Sequence, residues 1–158
     1  MQAPLPPPKP PAIETRILAG ESASVALRDW CAAHGLPGLE ALRAPGKGRV
    51  AGRSVRAALA VQPGEPVRYR RVKLACGGKV LSEADNWYVP GRLTPDMNRQ
   101  LEATDTPFGL VVRPLAFTRR TLATKALPTG GFEIRAVLTT GAGAPFSYVV
   151  EDYSPGLR

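Results

Sequence analysis

The stretch covering residues 67–109, VRYRRVKLACGGKVLSEADNWYVPGRLTPDMNRQLEATDTPFG, leaves the chain little choice of fold. Val72, Leu74 and Cys76 alternate with Arg71, Lys73 and Ala75, the period-two pattern of a strand with one buried face. Gly77-Gly78 follows, a pair that tolerates the positive φ of a tight hairpin. Residues 80–89 return as the partner strand. Pro90-Gly91 stops it, because proline has no N–H to give to a ladder. Thr94-Pro95-Asp96 then opens a helix, with Thr94 as N-cap, Pro95 in the first turn and Asp96 at the positive end of the dipole. Met97 and Leu101 form its apolar stripe. Thr106-Pro107-Phe108-Gly109 breaks it and turns into an expected strand at 110–112.

The flanks fit around this hairpin. Residues 22–34 read as a helix with Ala23, Leu27, Trp30, Cys31 and His34 on one stripe, Ser22 as N-cap and Gly35 just past the end. Trp30 is expected in the core, and His34 at the helix end rather than as a base. Residues 50–61 are expected to be a strand bulged at Gly52. Residues 115–127 read as extended. Residues 132–138 alternate with Phe132, Ile134, Ala136 and Leu138 inward, 141–145 turn, and 146–153 form the last strand before Ser154-Pro155-Gly156. Two hairpins, RVKLACGGKVLSEADNWYVP and IRAVLTTGAGAPFSYVVEDYSP, share one plan, with Asn86 matching Glu151 and Tyr88 matching Tyr153. Residues 1–15 form a Pro-rich tail with no periodic apolar face, expected to be extended or disordered. Residues 16–158 are expected to be one domain.

The net charge of +8 comes mostly from arginine, in ones and twos. There is no basic helix and no Lys/Arg run of five, so an anionic small molecule is expected as partner, rather than nucleic acid. Arginine suits two-pronged recognition of carboxylate or phosphate. With two cysteines and one histidine the chain has little material for a zinc site, so neither metal nor cofactor is expected. No signal-peptide pattern and no long apolar run is present, so the reading is a cytoplasmic monomer with reduced thiols and no membrane contact.

From about residue 22 to residue 155 the chain resembles the chorismate lyase (chorismate pyruvate-lyase) superfamily. The residues that carry the resemblance are Arg71-Val72-Lys73-Leu74-Ala75-Cys76, Val89-Pro90, Thr106-Pro107-Phe108-Gly109, and Glu151 followed by Tyr153-Ser154-Pro155. The resemblance implies an α+β domain, a mostly antiparallel sheet with helices packed on it and a buried ligand pocket between them. It implies cofactor-free elimination of pyruvate from chorismate to give 4-hydroxybenzoate. Arg71 would bind the ring carboxylate, with Arg70 in its place if the strand phase is shifted by one. Glu151 would face the ring hydroxyl, Phe108 would line the ring, and the helix carrying Ala23 would cover the site. Where the lyases carry Gly-Arg, this chain has Asp85-Asn86, and an aspartate there would repel a dianion.

Other readings of the same residues stay open. Arg71 can face solvent, and Glu83 and Asp85 share one strand face from which they can pair with Arg71 or Lys73. The same fold also serves as the effector-binding module of GntR-type regulators, which binds a small ligand and catalyses nothing, so a non-catalytic module for an aromatic or cyclic carboxylate stays open. A lyase or hydrolase for a different cyclic acid is a further alternative.

Overall fold

The computed structural model describes residues 2–5, 12–44 and 49–157. The chain runs α1 (Ile13–Leu18), α2 (Ala23–Ala33), β1 (Glu40–Arg43), α3 (Arg53–Ala58), β2 (Arg68–Cys76), β3 (Lys79–Tyr88), α4 (Pro95–Ala103), α5 (Phe108–Val111), β4 (Thr118–Ala126), β5 (Phe132–Thr139) and β6 (Pro145–Tyr153). The strands form one sheet in the order β1-β2-β3-β6-β5-β4, every neighbouring pair antiparallel. Two meanders, β1-β2-β3 and β4-β5-β6, therefore meet at β3 and β6, and an α+β fold with helices on an antiparallel sheet is what the hairpin pattern requires.

The hairpin closes at Gly77 and Gly78, whose φ values of +57° and +76° suit the tight turn. In α2 the Ser22 hydroxyl accepts from the Val25 N–H at 3.4 Å. Gly35, at φ +65°, ends the helix, with the Leu36 N–H donating back to the Cys31 carbonyl at 3.0 Å. In α4 the Thr94 hydroxyl caps the Met97 N–H at 3.1 Å.

Antiparallel partners share a face. On the inner face, Val72, Leu74, Ile134, Ala136 and Val149 pack under Ile13 and Ile17 of α1 and Ala23, Ala26 and Leu27 of α2. Met97 and Leu101 of α4 and Val111 of α5 join Tyr88, Leu138 and Phe146 in a second cluster. On the outer face α3 lays Val55 on Trp87, Val137 and Tyr148, with Leu59 just beyond its end.

Five sequence expectations change. Residues 50–61 hold the helix α3 rather than a bulged strand: the Arg56 N–H donates to the Gly52 carbonyl at 3.0 Å, and Val55 and Leu59 make an i, i+4 apolar pair. Residues 110–112 belong to or follow the single turn α5, because Pro107 presets the entry and the Val111 N–H closes onto its carbonyl at 3.1 Å. Trp30 is half-buried, stacked on His34 with the Lys79 ammonium 5.2 Å from its ring centre. Ile13, Glu14 and Thr15, counted with the tail, are the first residues of α1, and Ile13 is buried. Residues 2–5 are exposed without regular structure; the rest of the Pro-rich tail, 1 and 6–11, lies outside the described residues.

Finally, the thiols expected to be reduced are joined. Cys31 of α2 and Cys76 of β2 form a disulfide, with Cα atoms 6.3 Å apart. Helix packing brings together residues 45 positions apart, which no local spacing reveals. Disulfides belong to oxidising compartments, so the cysteines no longer argue for the cytoplasm. Among the described residues no helix is long and apolar enough to cross a membrane.

Candidate functional site

The inner face holds a cavity of about 50 Å³ between the sheet, the first turn of α2 and α5. Its floor is Val72 and Leu74 of β2, Ala84 and Asn86 of β3, Leu138 of β5, Val149 and Glu151 of β6, and Arg119 of β4. Its roof is Ser22, Ala23 and Ser24 at the start of α2, with Phe108 and Gly109 of α5. Gly109 lets the two helices approach, since a methyl there would stand 2.7 Å from the Ser24 hydroxyl. The free N–H groups of the first turn of α2 carry the positive end of its dipole to the cavity.

Two arginines are buried on this face. Arg70 is 7% exposed, and none of its guanidinium nitrogens has a hydrogen-bond partner among the described residues. It pairs in register with Asn86 and sits two residues before Val72, both on the cavity wall. Burial, with a smaller push from Arg43, lowers its pKa from the ordinary arginine value. Arg119, with a side chain 2% exposed, grips Glu151 with both terminal nitrogens. One of these bonds runs from Nη1 to Oε2 at 3.1 Å. Burial works against the Arg119 charge, but the Glu151 carboxylate outweighs it and the net shift is upward. Tyr153, fully enclosed, is raised well above the ordinary phenol value by burial and then by Glu151. Asn86 accepts from the Ser147 hydroxyl at 2.7 Å.

The structure therefore divides the residues singled out in the sequence. Ala23, Asn86, Phe108 and Glu151 surround the cavity, and Arg70 lies on the same face of the sheet, outside the residues that line it. Arg71 and Asp85 do not belong there. They are register partners on the outer face, where Arg71 donates to Asp85 at 2.8 Å and to Glu83 at 3.0 Å. Asp85 also accepts from the Tyr69 hydroxyl and has Arg49 at 3.9 Å. The reason is strand phase: Val72 and Leu74 face inward, so Arg70 does too and Arg71 cannot. The same phase removes Asp85 from the cavity, and with it the expected repulsion of a dianion.

Arg119 is the residue that sequence reasoning passed over. Its signal was present, because Arg119 shares the strand phase of the apolar Phe117 while Arg120 shares that of Thr118. As for metals, among the described residues no group of three or more His, Cys, Asp or Glu side chains is arranged to hold one.

No protein-family profile matches the chain. The uncharacterized protein y4mC of Sinorhizobium fredii is 41% identical over 170 residues, covering 90% of this chain and 72% of that protein. Among solved structures, the effector domain of PhnF from Mycobacterium smegmatis aligns with a TM-score of 0.61 at 15% identity, over 85% of this chain and 89% of that domain. The C-terminal domain of the histidine utilization repressor from Pseudomonas syringae aligns with a TM-score of 0.55 at 13% identity, over 76% and 94%. At these identities the structural likeness is one of fold.

Proposed function

The chain belongs to the family of the Sinorhizobium fredii protein y4mC, and on that footing we propose that it is a binding module for a small organic anion. The observation that carries this reading is Arg70. A guanidinium removed from water without a partner is costly, and an anionic ligand is the group that would relieve it. The first turn of α2 supplies further donors and positive potential to the cavity on the same face of the sheet. The likeness to effector domains supports binding rather than turnover.

A chorismate lyase activity is the second reading, favoured by one observation: Ala23, Phe108, Glu151 and the phase-shifted Arg70 share a face. One experiment separates the two. Purified protein in salt-free zwitterionic buffer is titrated calorimetrically with aliphatic and ring monocarboxylates, and in parallel mixed with chorismate while pyruvate is followed. The expected result is saturable carboxylate binding that disappears in Arg70→Met, with no pyruvate. Binding unchanged in Arg70→Met would overturn the proposal. Pyruvate release that disappears in Arg70→Met and Glu151→Gln would establish the lyase.

A further inference from the structure

We infer that Asn86 selects the uncharged end of the ligand: its side-chain amide donates to a neutral oxygen in the cavity, so the module takes oxo acids, whose carbonyl lies apart from the carboxylate. The inference rests on the reading of the chain as a binding module for a small organic anion.

Asn86 is 4% exposed and lies on the cavity floor. On β3 it stands between Arg70 of β2 and Val149 of β6. A side-chain amide carries one acceptor atom and one atom with two donors. The acceptor is engaged, because Oδ1 takes the hydroxyl proton of the fully buried Ser147 at 2.7 Å. That bond fixes the way the amide points and leaves Nδ2 as its free atom. Nδ2 has no hydrogen-bond partner among the described residues, yet it is not sealed in protein as the guanidinium nitrogens of Arg70 are. The open surface left to it is that of the cavity which Asn86 lines.

The roof supplies a second free group. Ser24 is 6% exposed and lines the same cavity, and its hydroxyl likewise has no partner among the described residues. The other polar groups of the lining are occupied: Arg119 and Glu151 hold one another, and the Ser22 hydroxyl caps Val25. The remaining walls are apolar side chains and Gly109. A carbonyl oxygen has two lone pairs and no proton, so it can accept from Asn86 below and from Ser24 above. A hydrocarbon group in its place leaves both unpaired in a buried space, and an ammonium meets Nδ2 donor to donor. An amide serving the fold alone would be spent on protein partners at both ends, or replaced by an apolar residue like the neighbouring Val149.

The test uses acids matched in shape that differ in one group. Calorimetric titration in salt-free zwitterionic buffer compares 4-oxopentanoate, 4-methylpentanoate and 4-aminopentanoate, and a ring series of 4-formylbenzoate, 4-vinylbenzoate and 4-(aminomethyl)benzoate. The wild type should bind the oxo acid at least about tenfold tighter than either companion in the series that it binds. Asn86→Leu, of similar volume, should bring the oxo acid and its hydrocarbon match to within about threefold of one another. Asn86→Asp, whose carboxylate only accepts, should turn the preference to the ammonium compound. Should a variant fail to fold, the ratio in the wild type decides the matter. Equal affinity of the wild type for the oxo acid and its hydrocarbon match, or the wild-type preference kept in Asn86→Leu, would overturn the role of Asn86 while leaving the binding module standing. Binding of none of the six compounds by the folded wild type would overturn both.

Discussion

Replacing Arg70 by methionine should make the ligand-free protein more stable. Methionine keeps an unbranched stem of similar length and fills irregular space, so the substitution chiefly deletes a guanidinium that is 7% exposed and has no partner among the described residues. An unsatisfied buried polar group costs about 1–3 kcal/mol, and a charged one more. A gain of about 2 kcal/mol is a fair expectation, equivalent to a rise in Tm of about 4–8 °C in a domain of this size. Ligand should reverse the order. At a ligand concentration of about 100 Kd the wild type gains about 2.7 kcal/mol, whereas the variant, lacking the counter-charge, gains nothing. Thermal and urea unfolding of both proteins, in salt-free zwitterionic buffer and again with saturating carboxylate, measures the crossing. A variant less stable than wild type by more than about 1 kcal/mol in the anion-free buffer would refute the reasoning, because the guanidinium would then be anchoring the fold rather than waiting for a partner.

The disulfide closes a loop between residues 31 and 76, a separation of 45. The chain-entropy relation gives about 4 kcal/mol for it, so urea midpoints of Cys31→Ala/Cys76→Ala that match the oxidised wild type would contradict the bond. On the outer face Asp152 is pushed up from 3.8 to about 6 by burial and by the Glu133 carboxyl beside it. Its folded form keeps a proton that the unfolded chain has lost, so stability falls as pH rises through that window. Glu133 is moved downward: burial raises it, but the bond with Asp152 and the charges of Lys125 and Arg135 outweigh burial. Its contribution is present above its ordinary value and is lost as pH falls. Asp152→Asn should accordingly gain on wild type as pH rises from about 4 to about 7, and a constant difference over that range counts against the pairing. Gly109→Ala puts a methyl 2.7 Å from the Ser24 hydroxyl and should cost about 1–3 kcal/mol. Adding Ser24→Ala should recover part of that loss, and an unimproved double variant would show that the contact is not the cause.

How far the sequence could be read depended on whether a segment carries its own period. The hairpin around Gly77-Gly78, the capped α2 and α4, and the alternation of β5 are local patterns, and each is present in the fold. Residues 53–58 make less than two turns, too short for a helical period to separate from a bulged strand, and α5 is a single turn set by Pro107. The cavity was legible in the same graded way. Asn86 and Glu151 emerge from the matching plan of the two hairpins, and the sheet brings those hairpins side by side, with Glu151 opposite Ala84 and Val149 opposite Asn86. The arginine pair at 70 and 71 was legible in the strand itself, because Val72, Leu74 and Cys76 share one phase and Arg70 falls in it while Arg71 does not; the family-like run pointed to Arg71 by position alone.

That single register step separates two very different electrostatic settings. On the outer face Lys73, Glu83, Asp152, Glu133 and Lys125 stand in one row across β2, β3, β6, β5 and β4, each next to a charge on the neighbouring strand. The exposed lysines at its ends are screened by water and contribute little, while the buried Glu133 in its middle pushes Asp152 upward. On the inner face, among the described residues, Arg70, Arg119 and Glu151 are buried and only the last two pair. A sequence shaped for stability alone would place Met or Leu at position 70, in line with Val72 and Leu74. The chain places there the group that is hardest to neutralise by losing a proton, since even with its pKa lowered an arginine stays charged. Local rules are broken at functional sites more than elsewhere, and here the breach lies on the face of the sheet that also holds the cavity under the first turn of α2. The charge left without a partner on that face is what motivates the proposal of an anionic ligand.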